Sequence, residues 1–252
     1  MFEQMANLEP RNVRVGTIRS GVTSATASNP AAPNDRVLDT GHVSTDAEQA
    51  LRRAEAHQRR VGFGDRAASI AVLAAERALA KARGEPYADT VDLGVWWSAG
   101  APIPHVVSNG SRAILLCYAG EVDPDWDGTY VTVVSAADSA EVTFVEIVFE
   151  SCASIRFGAP NDEALGGHPL SGRGLDGYGA HVVHNSTWLE EHIRINSVHE
   201  QHNEHGWRTL THYFLVFHDE MFEALAGTVA ARLVQGTMSS LLAHAAERLT
   251  LA

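Results

Sequence analysis

The stretch Glu141–Phe157, EVTFVEIVFESCASIRF, is the longest β-like run in the chain. Side chains alternate across a strand, so its residues divide into two faces. One face carries Thr143, Val145, Ile147, Phe149, Ala153, Ile155 and Phe157, and is expected to meet the core. The other carries Phe144, Glu146, Val148, Glu150, Cys152, Ser154 and Arg156. Two carboxylates on that face suit a half-exposed antiparallel sheet, with the lining of a cavity as the alternative. The run is read as one continuous strand.

Upstream, the texture is antiparallel. Val91–Trp97, Pro104–Ser108, Arg112–Tyr118 and Thr129–Val134 read as strands, with Asn109-Gly110 as a strong hairpin signal. Before them come two helical patterns, about 46–60 and 65–83. The first is entered through a capping box of Thr45 and Glu48. Residues 1–44 are rich in Ser, Thr, Ala, Asn and Pro and are expected as a flexible arm. The remainder, 45–252, is expected as a single domain.

Downstream, Gly158–Asn185, GAPNDEALGGHPLSGRGLDGYGAHVVHN, has neither helical nor strand period until a short strand at its end. Structureless loops of that length are uncommon in compact domains and are usually functional or disordered. This one spaces Asn161, Asp162, His168, Arg173, Tyr178 and His184 between glycines that let backbone approach a ligand. A strand at 179–184 follows, then a helix at 188–198 capped by Thr187 and Glu190. Thr209–His218 reads as a strand buried on both faces, and Met221–Ala226 as a short strand turning back from it. A last helix is expected from Gly227 to about 249. Helical pair, run of strands, then strands and helices mixed: this order argues α+β, with a mainly antiparallel sheet, an N-terminal helical hairpin and a C-terminal helix packed on it.

Bulk properties bound the function. A net charge of −12 argues against nucleic acid as a partner. No apolar run approaches the ~20 residues that span a membrane, and the first residues lack the apolar core of a signal peptide. A cytoplasmic protein without membrane contact is therefore expected. Cys117 and Cys152 lie in apolar runs, where buried free thiols are the default.

Three patterns bear on chemistry. Gly172-Arg-Gly174-Leu-Asp-Gly177 fits G-x-G-x-x-G, but a loop precedes it and no helix opens after it, so a dinucleotide site is rejected. His199, His202 and His205 are spaced by three, yet Asn203 and Gly206 favour a loop and the H-E-x-x-H spacing is missing. No metal site is assigned. The third is an acid–base set: His168, Glu146, Glu150 and His218 as catalytic candidates, with Arg173, Asn161, Asn185 and Tyr178 as substrate contacts. Histidine beside a carboxylate supplies general acid–base catalysis, and arginine binds anions bidentately. Nucleophile-elbow, P-loop and cysteine-protease signatures are absent.

The expectation is an enzyme acting on a small, anionic molecule at the 158–185 loop, with no cofactor indicated. The alternative is a non-catalytic binding or assembly protein, docking a partner or a second copy of itself through the N-terminal arm and first helix. An enzyme requires ionisable groups that are buried, mutually close and beside the loop. The pairing to look for is His168 and Arg173 with Glu146 or Glu150.

Overall fold

The computed structural model describes residues 40–120 and 134–250. The expected arm lies mostly outside them, as does nearly all of the strand expected at 129–134. The fold is α+β, with two antiparallel sheets.

Helices α1 (Thr40–Val61) and α2 (Arg66–Ala82) form the N-terminal hairpin. Because α1 begins at Thr40, Thr45 lies within the helix and does not cap it. Gly62, at φ 99°, ends α1, and Asp65 caps α2 by accepting the Ala68 N–H at 2.8 Å. Strand β1 (Tyr87–Val91) follows. The strand expected at Val91–Trp97 is thus displaced upstream. Asp92 Oδ1 accepts the Gly94 N–H at 2.8 Å and Gly94 sits at φ 70°, which turns the chain out of the ladder.

Strands β2 (His105–Ser108) and β3 (Arg112–Tyr118) flank the Asn109-Gly110 turn, with Gly110 at φ 83°. The 141–157 run is not one strand. It divides into β4 (Val142–Glu150) and β5 (Ser154–Gly158), which lie in different sheets. Ser151, at φ 52°, makes the corner, and within two residues the chain passes from a bond with Ser111 to one with Leu225.

Strand β6 (Ala180–His184) leads into α3 (Thr187–Asn196), whose N-cap is Ser186. A single short turn, α4 (Glu204–Trp207), precedes β7 (Thr211–Val216) and β8 (Met221–Ala226). The expected last helix begins much later than Gly227. Thr228–Gly236 is strand β9, and only Met238–Thr250 is helix, α5. Pairing with β4 along its whole length overrides the helical leaning of Ala230, Ala231, Arg232 and Leu233.

One sheet runs β1-β6-β7-β8-β5 and the other β2-β3-β4-β9. The ribbon β4–β5 pairs throughout with β9–β8, and both of its strands change sheet at one corner. There Gly227 donates its N–H to the Glu150 carbonyl at 2.9 Å. The sheets pack face to face through Leu115, Val145, Ile147 and Phe149 on one side and Tyr213, Leu215, Phe222 and Ala224 on the other. Helix α5 covers the outer face of the second sheet, so that Phe144 and Glu146 are buried where solvent was expected. The outer face of the first sheet is covered by the glycine-rich loop: Leu170 and Leu175 pack on Ala88, Val183, Phe214, Val216 and Met221. Among the described residues no helix is long and apolar enough to cross a membrane.

Candidate active site

Register on the outer face of the first sheet assembles a polar row inside an apolar wall. Arg156 of β5 stands opposite Glu223 of β8, which stands opposite Phe214 of β7. His212, one pleat along β7 on the same face, bonds diagonally to Glu223, Nε2 to Oε2 at 2.8 Å. Its other nitrogen, Nδ1, lies 2.8 Å from Ser186 Oγ at the start of α3. That hydroxyl oxygen also accepts the Leu189 N–H at 3.1 Å, so its own hydrogen is available to Nδ1. With that hydrogen on Nδ1, the imidazole carries its proton on Nε2 and donates it to Glu223. Every partner in the Ser186–His212–Glu223 chain is then satisfied.

Helix α3 roofs one half of this row. The Arg156 guanidinium sits 4.2 Å over the Trp188 ring, and Trp188 meets His212 edge-on at 5.1 Å between centroids. The loop roofs the other half. Asn161 caps a short 3₁₀ helix, Asp162–Gly167, by accepting the Ala164 N–H, and the chain then delivers His168 against the Phe214 ring. His168 Nδ1 accepts the Leu170 N–H at 3.2 Å. Among the described residues no hydrogen bond engages its Nε2. Between these roofs lies a cavity of about 140 Å³, lined by Arg156, His168, Phe214, Glu223 and the 157–160 turn with its cis Ala159–Pro160 bond.

The electrostatics divide the two ionisable partners. Burial alone would raise the Glu223 carboxyl. The hydrogen bond from His212, with the Arg156 guanidinium, outweighs it and holds the group below the usual carboxylate range. Burial lowers His168, against the pull of Glu223, so that its imidazole is neutral at pH 7. An ionised carboxylate, a neutral imidazole and a guanidinium therefore share one small cavity.

The structure brings some of the sequence candidates together and separates others. His168 lines the cavity. Glu146 and Glu150 stand on the other sheet, so the expected pocket of His168, Arg173 and a β4 glutamate does not form. Both carboxylate oxygens of Glu146 are taken, by Arg232 at 2.8 Å and by Arg248 of α5 at 2.6 Å. Glu150 pairs with Arg112 at 2.8 Å. Arg173 pairs with Glu85 at 3.4 Å, a partner beyond the loop and its carboxylates. Asn185, at φ 51°, donates its amide N–H to the Glu85 carbonyl at 3.1 Å.

Tyr178, Asp162 and His218 form a second cluster at the outer end of the loop. The Tyr178 hydroxyl hydrogen-bonds to Asp162, and His218 Nδ1 lies 3.1 Å from the same oxygen. The hydrogen bond from Tyr178, with that from His218, holds Asp162 low; Asp162 in turn raises His218. Burial and Asp162 push the Tyr178 phenol up to about 12.

Glu223, His212, Arg156 and Ser186 were not singled out from the sequence. A signal for the first two exists: each is an ionisable residue within an apolar strand, in THYFLV and MFEALA. Buried charge in such a run demands a partner, and each is the other's. Among the described residues no group of three or more His, Cys, Asp or Glu is placed to hold a metal ion. No family model, curated protein or solved structure matches the chain, so any functional reading rests on this geometry.

Proposed function

We propose that the protein is an enzyme that moves a proton on a small anionic molecule, in the cavity roofed by the 158–185 loop. The observation that carries this reading is the meeting of His168, Glu223 and Arg156 around one cavity. The space suits a carboxylate or phosphate group, with the rest of the molecule outside. Arg156 is the anion holder: Trp188 supports its face, and its two carboxylate neighbours, Glu223 at 3.6 Å and Glu191 at 3.9 Å, are both long pairs that a bound anion can replace. His168 is the acid–base residue: in the neutral ring Nδ1 accepts the Leu170 N–H and Nε2 carries the hydrogen as a donor, and Nε2 takes up a proton as a base only in the other tautomer, with the 3.2 Å Leu170 bond released. Glu223 is already ionised and bonded to His212, so its role is to orient that imidazole and set the field of the cavity. A cytoplasmic setting belongs to the same reading, supported by Cys117 and Cys152, which are buried and unpaired.

Inorganic phosphate and acetate are suitable probes. Saturable binding is expected, read by the His168 imidazole resonance and by Trp188 fluorescence. Arg156→Ala should weaken it about tenfold, equivalent to ~1.4 kcal/mol. In heavy water, a panel of small carboxylic and phosphorylated acids should include one that takes up solvent deuterium. His168→Gln should abolish the uptake and leave phosphate affinity intact. Absence of saturable binding by either anion would falsify the reading.

A further inference from the structure

We infer that Ser186 is a nucleophile, activated by His212 and Glu223, and that it cleaves small neutral esters in a second cavity on the other side of these residues. That cavity, about 440 Å³, lies at the junction of β6, α3 and β7 and is lined by both Ser186 and His212. Its volume falls in the range of small-molecule sites. The inference rests on the preceding reading in one respect: it uses the same ionised Glu223 and its bond to His212.

The geometry is that of an activated hydroxyl. Ser186 Oγ, His212 Nδ1, His212 Nε2 and Glu223 Oε2 are joined by two contacts of 2.8 Å. A nucleophile, a base and a group orienting the base, each in hydrogen-bond reach, are the requirements for nucleophilic catalysis. The local backbone adds to this. Asn185 at φ 51° turns the chain sharply from β6 into α3, and Ser186 stands at the tip of that turn. The arrangement is strand, tight turn, helix, without the glycines that flank the serine in G-x-S-x-G. The N–H groups of Thr187 and Trp188 open α3, and among the described residues no hydrogen bond takes them. As the first N–H groups of the helix that Ser186 caps, they are the donors open to an oxyanion formed on Oγ attack.

The cavity wall indicates the substrate class. Val91, Val182, Leu210, Tyr213 and Val229 give it an apolar lining. Its ionisable groups already have partners: Arg208 in Glu190 at 2.8 Å and Glu204 at 2.7 Å, His184 in Asp89 at 3.1 Å. With these groups engaged, the site suits a neutral ester with a compact apolar acyl group.

The steps balance. As Oγ bonds to the carbonyl carbon, its proton passes to His212 Nδ1 and the carbonyl π pair moves to oxygen. Collapse breaks the bond to the leaving oxygen, which takes the proton from His212 and departs as an alcohol. Water then repeats the sequence on the acyl-serine: it gives its proton to His212, the Oγ–carbon bond breaks, and the proton returns to Oγ. A carboxylic acid leaves, and no electron is transferred overall. His212 touches the reacting hydroxyl; Glu223 acts through His212 and is a positioning residue.

The test uses the full chain with p-nitrophenyl acetate and a fluorophosphonate probe. We expect nitrophenolate release, an acyl or phosphonyl group on the peptide that contains Ser186, and loss of about a hundredfold or more in release with His212→Gln. Ser186→Asn keeps a good helix cap while removing the nucleophile, and should abolish labelling with an unchanged melting curve. Label on another residue, or release undiminished in Ser186→Asn, overturns the inference. The labelled peptide of the unsubstituted protein decides the matter even where that variant fails to fold. Phosphate binding at Arg156 is read separately. If labelling fails while phosphate binds, this inference falls and the anion site stands. If Ser186 is labelled while phosphate does not bind, the anion site falls and the nucleophile stands.

Discussion

Two charged residues look alike in the sequence and differ in the fold. Glu146 and Arg173 both sit among residues that give them no obvious partner. Glu146 is 3% exposed and holds two arginines, one on β9 and one on α5. Burial would raise its carboxyl, but the Arg232 and Arg248 bonds prevail and lower it. Arg173 is one-third exposed and makes a single 3.4 Å pair with Glu85. Removing one partner of a buried ion pair strands the others, at a cost of about 3–5 kcal/mol, whereas exposed pairs contribute about 0–1 kcal/mol. The two arginines that Glu146 holds keep access to solvent, so urea denaturation should show Glu146→Ala destabilised by less than that, roughly 1–3 kcal/mol, and Arg173→Ala by less than about 1 kcal/mol. Equal losses would show that Arg173 fastens the loop far more firmly than its geometry indicates. The sequence placed Glu146 on the correct side of its strand. It could not show that a helix a hundred residues away would close over that side.

At the scale of elements, local signals were legible where a single residue type settles a turn. Asn109-Gly110 gave its hairpin, and the period of residues 66–82 gave α2. The 141–157 run misled because its corner conserves the alternation: Ser151 turns the chain by a backbone conformation that leaves no mark in hydropathy. Strand β9 misled for another reason, since its alanines and Leu233 favour helix until β4 pairs with them. The glycine-rich loop was legible as a loop with polar groups, but not as one tied down at both sheet and helix. Gly174 shows the tie. It sits at φ 86°, and its N–H reaches Glu76 at 3.1 Å. A Cβ there would overlap the Arg77 side chain and the Ala88 carbonyl. Gly174→Ala should cost at least about 1–3 kcal/mol, since strain and overlap add. It should also open residues 163–177 to limited proteolysis while α5 stays protected. Unchanged stability and an uncut loop would mean that the loop rests on its leucines alone.

For the molecule as a whole, the pH dependence of stability follows from groups that fold in one protonation state. His181 is fully buried between the first sheet and the loop, and its Nε2 accepts the Asp176 N–H at 3.2 Å. That bond requires an unprotonated Nε2. Burial lowers its pKa, as it does for His168 and His192. A histidine held low contributes nothing adverse above its unfolded value of about 6.5, where both states are neutral. Below that value the unfolded chain binds protons that the folded chain refuses, so stability is lost as pH falls. The slope for a group such as His181 approaches ~1.4 kcal/mol per pH unit until its folded value is reached. The depressed carboxylates, Glu146, Glu223 and Asp162, act later: their stability is present above about 4 and lost as pH falls through their lowered folded values. Two groups oppose this. Glu76 and Glu220 are raised, chiefly by burial, so acid relieves them as pH falls through their raised folded values. His218, raised by Asp162, has the reverse sign from the buried histidines. Its contribution is complete below about 6.5 and lost as pH rises through its folded value, but it is exposed and its effect is local to the loop. Between pH 7 and 5.5 the buried histidines therefore dominate. The urea midpoint should fall steadily over that interval, before the depressed carboxylates titrate. His181→Gln, which is neutral at every pH, should flatten the fall even where it lowers the starting midpoint. A midpoint constant from pH 7 to 5.5 in the unsubstituted protein would show that these imidazoles charge freely, and with that the neutral His168 required for proton transfer would be lost.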